Sequence, residues 1–179
     1  MYKFISFYCV MCAFVILSCT KEQAPDFLGV YPGQNFSDAE NVLIKNNFVF
    51  QADQVGNFYV GKYEGTEADV QLSYELDKTI SSVSVNMLYD KNNVAKRRFN
   101  KILRNLESKY INYTKSGPFK SKNFFSEMEI TTYYLYKDGV GNIKLEYTKG
   151  NDGGSENELS FSAGIKMVFS KFDLSEEYK

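Results

Sequence analysis

Alternating segments constrain the fold of this chain more than any other feature of its sequence. From Leu159 to Phe169, apolar residues occupy every second position, and the same period of two runs through residues 68–76 and 80–89. Successive side chains of a β-strand point to opposite faces of the sheet, so this pattern predicts strands with one buried face and one solvent-facing face. Further strands are predicted at residues 48–51, 57–63, 124–136 and 143–148.

Two other segments carry the period of a helix. In the first, Ser37 and Glu40 have the spacing of a capping box, and Asn46–Asn47 suit a helix end because asparagine tolerates left-handed backbone. The second has apolar residues at helical intervals opposite a basic face, which predicts an amphipathic helix of about four turns. Its apolar stripe comprises Ala95, Phe99, Ile102, Leu103, Leu106 and Tyr110.

The order helix, strands, helix, strands predicts an α+β fold. Parallel strands need a crossover between each pair, and two helices cannot supply enough of them, so the pairing is predicted to be antiparallel. We expect an antiparallel sheet with two helices packed on one face. Similar patterns in the hairpins around Val70 and Ile143 favour two tandem helix-plus-strands units, residues 27–90 and 91–172. The alternative is a closed, lipocalin-like barrel with a helix across one mouth.

A short apolar leader precedes the predicted domain. Its run from Phe4 to Leu17 falls short of the roughly 20 residues that a transmembrane helix needs, and its length suits a secretory signal. The leader ends in Ile16-Leu17-Ser18-Cys19 and turns polar at Thr20. This arrangement resembles the signal peptide of bacterial lipoproteins, in which the chain is cut before the cysteine and the cysteine carries lipid.

The resemblance implies a domain layout and a location. Residues 1–18 would be the signal peptide, residues 19–26 the lipidated Cys19 with a tether, and residues 27–179 a single domain. The lipid would attach the protein to a membrane of the cell envelope, and Thr20, in place of an acidic residue, favours the outer membrane. Cys9 and Cys12 would leave with the leader, so the mature domain would contain no free thiol. Ordinary secretion and an uncleaved anchor are the alternatives.

The sequence lacks the side chains that most catalytic and metal sites use. It contains no histidine, which removes the commonest general base and the commonest metal ligand. No glycine-rich phosphate loop or dinucleotide fingerprint is present. With 21 basic and 22 acidic residues, the chain has no positive excess for nucleic acid. We therefore expect no enzyme activity, no catalytic residues, no cofactor, no metal site and no nucleic-acid partner.

Several polar groups keep other functions open. A carboxylate-dependent polysaccharide hydrolase would need a facing pair such as Glu127 with Glu129 or Glu64 with Asp69. The loop at residues 151–156 offers oxygen ligands for calcium without the spacing of a known calcium loop. The basic face of the second helix is either a docking surface for anionic lipid or an acidic partner, or simply solvated. An aromatic platform is a further hypothesis, formed by Tyr59, Tyr63, Tyr133, Tyr134 and Tyr136.

The predicted solvent-facing side of the sheet supplies the candidate binding residues. The element order resembles the β-lactamase-inhibitor-protein-like group, which also includes small outer-membrane assembly lipoproteins and in which one sheet face commonly binds a partner. The resemblance implies a non-enzymatic, lipid-anchored lipoprotein that binds another envelope protein. Binding of a small ligand or glycan is the alternative. The candidate partner-binding residues are Gln71, Ser73, Ser82, Ser84, Asn86, Lys144 and Glu146.

Overall fold

Two helices and eight strands make up the part of the chain that the structure describes. This structure, a computed structural model, describes residues 24–52, 57–122, 128–150 and 163–171. The predicted signal peptide, Cys19, the loop at residues 151–156 and Glu127 lie outside these ranges. In chain order the elements are α1 (Phe36–Lys45), β1 (Val49–Ala52), β2 (Asn57–Tyr63), β3 (Thr66–Tyr74), β4 (Ile80–Tyr89), α2 (Asn92–Lys109), β5 (Thr114–Lys122), β6 (Glu129–Lys137), β7 (Gly141–Lys149) and β8 (Ala163–Ser170).

All eight strands belong to one antiparallel sheet in the order β1-β2-β3-β4-β8-β7-β6-β5. The first four strands occupy one half of the sheet and the last four the other half. The halves meet where β4 pairs with β8, from Ser82 opposite Ser170 to Tyr89 opposite Ala163. The outer strands β1 and β5 do not pair with each other, so the described strands form an open sheet. The antiparallel α+β prediction is confirmed, and the barrel alternative is wrong.

One face of the sheet is packed against both helices. In the middle of this face, Val85 on β4 lies opposite Val70 on β3 and Met167 on β8, and all three are buried. Buried side chains of α1 and α2 belong to the same hydrophobic cluster. We call this side the helix face and the opposite side the open face. From α1 the cluster takes Ala39 and Leu43, and from α2 it takes Ala95, Phe99, Ile102, Leu103 and Leu106.

Helix α1 begins earlier than its sequence signal predicts. Asn35 is the N-cap, and its side-chain oxygen accepts a hydrogen bond from the backbone N–H of Ser37 at 2.9 Å. The capping box built on Ser37 is therefore wrong, because Ser37 already lies in the first turn. The predicted end is confirmed: Asn46 is the C-cap, and Asn47 has a left-handed φ of 63°.

The strands differ from prediction mainly where polar residues interrupt the alternation. Strand β5 was missed because its lysines and its Gly117–Pro118 pair carry no alternating apolar signal. It pairs with β6 across a register shift between Ser116 and Phe119. Leu76, predicted on the packed face, is instead fully exposed in a turn, because the β3–β4 register shifts at Ser73/Tyr74 and β3 ends there. Residues 124–127 and 159–162, predicted as strand, lie outside the described ranges.

Candidate binding surfaces

The seven candidate partner-binding residues all lie on the open face. Gln71 and Ser73 on β3 stand directly opposite Ser84 and Ser82 on β4. Strand β8 then separates β4 from β7 and brings Lys166 between Asn86 and Glu146. These pairings join the seven residues into one continuous polar patch across β3, β4, β8 and β7. The predicted placement on one sheet face is therefore confirmed, and binding through it stays a prediction.

Charges within the polar patch compensate one another. The ammonium nitrogen of Lys144 lies 2.9 Å from Oε1 of Glu146, and both side chains are about one-fifth exposed. The hydroxyl of Thr132 donates to the same carboxylate oxygen at 3.5 Å. Lys166 stands opposite Glu146 in the register, as Asn86 stands opposite Asp69. The patch thus presents both signs of charge and several hydroxyls, without a strong net charge.

An aromatic pair extends the open face beyond the predicted residues. Tyr134 on β6 stands opposite Lys144, and it is buried although it lies outside the hydrophobic cluster of the helix face. The ring of Phe119 on β5 packs against it at a centroid distance of 5.9 Å, and Phe119 is 44% exposed. Sequence reasoning missed Phe119 because strand β5 was not recognised. Exposed aromatic side chains are enriched at protein interfaces.

A second surface, on the helix face, includes Lys96 from the predicted basic face of the second helix, but its other parts were not predicted. Helix α2 packs on β4, β7 and β8, and beside it a cleft of about 640 Å³ opens above β5, β6 and β7. Phe99, Tyr133 and Tyr147 line the inner part of the cleft, where the rings of Tyr133 and Tyr147 lie 5.9 and 5.6 Å from that of Phe99. Amide groups line the helix side, contributed by Asn92, Asn93 and Asn100.

Four lysines surround this cleft. Lys96 belongs to α2, Lys120 and Lys122 to β5, and Lys149 to β7, and all four side chains are exposed. Across residues 24–52, 57–122, 128–150 and 163–171, none of them makes an ion pair. The carboxylate in the lining, Glu129, stands between Lys122 and Lys149 in the strand register. The cleft therefore carries a positive excess that the described part of the chain does not neutralise.

Part of the basic face of α2 has a structural role instead. Glu64, in the β2–β3 turn, accepts from Arg98 at 3.0 Å and from Lys101 at 2.9 Å. Glu107 pairs with Lys115 of β5.

The contacts of Glu64 also contradict the hypothesis that Glu64 and Asp69 form a facing pair of catalytic carboxylates. Since the Glu64 carboxylate is held by α2 while Asp69 lies on the open face, the two do not face a common cleft.

The last turn of α2 holds the start of the domain. Lys109 donates to the Asp26 carboxylate at 2.6 Å, and the hydroxyl of Tyr110 donates to it at 3.1 Å. Burial alone lowers the pKa of Lys109, but its hydrogen bond to Asp26 and the nearby Tyr110 outweigh that effect, and the pKa is raised. Burial also raises the pKa of the Tyr110 hydroxyl. The chain thus enters the domain beside the C-terminal end of α2.

The five tyrosines proposed as an aromatic platform do not share one surface. Tyr59 is buried under α1, where its hydroxyl donates to the Glu40 carboxylate at 2.8 Å. Tyr63 and Tyr133 pack against the cluster of the helix face, whereas Tyr134 and Tyr136 lie on the open face. The platform hypothesis is therefore wrong, because alternate strand positions send these rings to opposite sides of the sheet.

The described residues contain neither a cluster of metal ligands nor a membrane-spanning helix. Within the described ranges, no three acidic, cysteine or histidine side chains gather as metal ligands. No helix among the described residues is long and apolar enough to cross a membrane.

No protein-family model matches the chain, and neither a curated protein nor a solved structure matches it significantly.

Proposed function

We propose that this chain is a non-enzymatic lipoprotein of the bacterial cell envelope, anchored by lipid at Cys19, that binds another envelope protein through its open face. The leader sequence supports the location, because its apolar run ends at a cysteine followed by polar residues. The outer membrane is the proposed site, since Thr20 and not an acidic residue directly follows Cys19. The proposed function requires neither a cofactor nor a nucleic acid.

The continuous polar patch on the open face carries the proposal of protein binding. Eight strands spaced about 4.8 Å apart give a face roughly 38 Å wide, and strands of typical length extend it by about 20 Å. That area is close to the roughly 800 Å² that each partner buries in a standard protein interface. Both described helices pack on the other face, so they leave this surface to a partner.

We also propose that the domain consists of two tandem units, residues 27–90 and 91–172. The strand register supports this view. Val70 pairs with Tyr59 on one side and Val85 on the other, just as Leu145 pairs with Tyr133 and Met167.

The anchor is tested by labelling cells with radioactive palmitate. We expect the label on the wild-type chain and none on a Cys19→Ala variant, whose leader should also remain uncleaved at that position. Label on both forms, or on neither, would contradict the lipoprotein proposal. This experiment does not involve the open face, so its failure leaves the binding proposal to be judged separately.

The open face is tested by exchanging two charges. A K144E/E146K variant keeps an ion pair within β7 and the net charge, but it reverses the polarity that a partner contacts. The matched control is E107K/K115E, which exchanges an ion pair on the helix side. Partners are recovered by crosslinking in intact cells, detergent extraction and mass spectrometry. We expect the open-face exchange to abolish recovery of a partner that the control retains. Equal recovery by both variants would exclude this surface.

Ligand binding is a second candidate function, and the cleft beside α2 favours it. Its volume of about 640 Å³ lies within the range of about 300–1,000 Å³ typical of ligand sites. Polysaccharide hydrolysis gains no such support, because the described pair of Glu64 and Asp69 is separated by the sheet.

A further inference from the structure

We propose that the cleft between α2 and strands β5–β7 binds an acidic oligosaccharide, with carboxylate groups on successive sugar rings. The inference concerns the helix face and does not depend on protein binding at the open face. It starts from the unneutralised charge: four lysines and one glutamate line the cleft. Each lysine of this set is exposed and lacks an ion pair within the described ranges, so each can bind an anion without first losing a partner.

The spacing of the lysines favours several anionic groups over one. Lys120 and Lys122 are two residues apart on β5, which places their Cα atoms about 7 Å apart. Lys122 and Lys149 flank Glu129 across three adjacent strands, a separation of about 10 Å. Lys96 extends the charge onto the helix side. One phosphate can contact two neighbouring lysines of this set, whereas an extended chain of acidic sugars can contact lysines on β5, β7 and α2 together.

The remaining lining suits the neutral parts of a sugar. Tyr133 is half-buried beside Phe99 and Tyr147, so carbon-bound hydrogens of a sugar ring can pack on an apolar base. The side-chain amides of Asn93 and Asn100 offer donors and acceptors for hydroxyl groups. Asn92 has a supporting role, because its amide donates to the backbone carbonyl of Gly150 at 3.2 Å.

The start of helix α2 adds to the positive potential of the cleft. Its first turn contains no acidic residue, and the N-cap, Lys91, makes no side-chain capping hydrogen bond. The partial positive charge of the helix N-terminus is therefore not offset by a carboxylate of that turn. Asn92 and Asn93, from this turn, line the cleft, so the helix end and the lysines act on the same bound anion.

The position of the cleft favours a soluble saccharide over a lipid head group. The chain enters the domain at Asp26, which binds Lys109 at the C-terminal end of α2. The cleft lies at the other end, beside Asn92 and Lys96. At 1.5 Å per residue, the helix separates these two ends by about 25 Å. On the proposed lipid anchor, the cleft would thus lie away from the point where the tether leaves the domain.

The test measures binding of tetragalacturonate to the full chain carrying Cys19→Ala, so that no lipid on the protein interferes. Isothermal titration calorimetry at low salt should detect binding, and the affinity should fall as the salt concentration rises. Maltotetraose, which has the same length and no charge, should not bind measurably. If it bound equally well, or if tetragalacturonate did not bind at millimolar concentration, the proposal would be overturned.

Two further probes separate the possible sources of negative charge. Inorganic tripolyphosphate should bind more weakly than tetragalacturonate, because it offers nothing to the aromatic base and the amides. Equal or tighter binding of tripolyphosphate would show a general anion site and reject the saccharide. Sedimentation of the protein with vesicles containing phosphatidylglycerol should be the same with and without K120Q/K122Q, whatever the contribution of the uncleaved leader. Lysine-dependent sedimentation without oligosaccharide binding would assign the cleft to membranes.

Matched variants locate the binding. K120Q/K122Q removes two cleft lysines and should weaken tetragalacturonate binding by about tenfold or more. K45Q/K62Q removes two exposed lysines outside the cleft and should leave the affinity unchanged. Equal losses in both variants would show non-specific charge attraction and contradict the proposal. The open-face exchange K144E/E146K should also bind normally, so failure at one surface is distinguishable from failure at the other.

Discussion

The two halves of the sheet differ in the side chains that cover their helix face. In the first half, Phe48 lies on Gly61 of β2, where an added Cβ would come within 2.6 Å of the ring. Phe27 packs against both Phe48 and Tyr63, at centroid distances of 6.0 and 5.1 Å. Aromatic rings therefore cover strand β2 in this half, whereas the edge strand β1 is exposed. In the second half, lysines occupy the outer strand β5, and the cleft lies open beside α2.

This difference shows that the cleft is not a necessary result of the arrangement of helices and strands. In the first half, rings fill the space beside the helix; in the second half, that space is surrounded by lysines that have no ion-pair partner among the described residues. Burial of rings contributes several kcal/mol to stability, whereas exposed charges contribute little. We infer that rings fill the helix face of the first half, while the second half keeps a cleft open on that face for a ligand.

The largest effect is expected from opening the first half. Phe48 is almost completely buried, so Phe48→Ala should reduce the free energy of unfolding by about 3–5 kcal/mol. Urea denaturation followed by circular dichroism measures the loss. Phe50→Ala, two residues further along in β1 and 48% exposed, is the control and should cost about 1 kcal/mol or less. Equal costs at both positions would contradict the proposed role of Phe48.

A methyl group at Gly61 should strain the same contact. Gly61→Ala is expected to destabilise the protein by about 1–3 kcal/mol, because the Phe48 ring must move to make room. Combining it with Phe48→Leu should cost less than the sum of the two single changes, with a coupling of about 0.5 kcal/mol or more. Strict additivity in the double-mutant cycle would show that the ring and the glycine act independently.

A smaller effect is expected where the two halves are linked by charge. Glu64→Gln removes the ion pairs from the β2–β3 turn to Arg98 and Lys101 of α2. These side chains are partly exposed, so we expect a loss of about 1 kcal/mol that shrinks in high salt. Glu67→Gln, an exposed neighbour on β3, should have almost no effect. A loss independent of salt would argue against an electrostatic link.

Alkaline pH should weaken the first half through Tyr59. Burial and the hydrogen bond to Glu40 raise the pKa of the Tyr59 hydroxyl far above its ordinary value near 10. A raised folded-state pKa means that this stability is fully present below about pH 10 and is lost as pH rises beyond it. Urea midpoints should therefore fall above pH 10, and Tyr59→Phe should flatten that fall. An unchanged pH profile in the variant would exclude this cause.

The smallest effect on stability is expected from the cleft lysines. Since none of the four has an ion-pair partner within the described ranges, K120Q/K122Q should change the free energy of unfolding by no more than about 0.5 kcal/mol. The same urea measurement that reports on Phe48 provides the comparison. A loss above about 1 kcal/mol would mean that these lysines are structural, and it would remove the contrast between the halves.

Local patterns predicted much of the fold correctly. The apolar stripe from Ala95 to Leu106 became the buried side of α2, and the alternation in β4 placed Val83, Val85 and Met87 in the core. The same alternation placed the seven polar candidates on the open face. These successes share a cause, because each depends on side-chain direction within a single helix or strand.

The cleft could not be predicted in the same way. Its lysines come from α2, β5 and β7, which lie far apart in the sequence. Strand β5 has no alternating apolar residues, since its pairing with β6 depends on backbone hydrogen bonds at an edge and not on burial of its side chains. Without β5 on the sheet, Lys120 and Lys122 had no predicted neighbours.

By itself, the sequence determined the two described helices and every described strand except β5, which side of most strands is apolar, and which catalytic residue types are missing. Periodicity and composition are local properties, and elementary geometry converts them directly into local structure. Only the tertiary structure decided that β4 pairs with β8, that β5 forms an edge of the sheet, and that four lysines surround one cleft. Those features depend on which distant surfaces pack together, and that choice follows from the burial of the whole core rather than from any single segment.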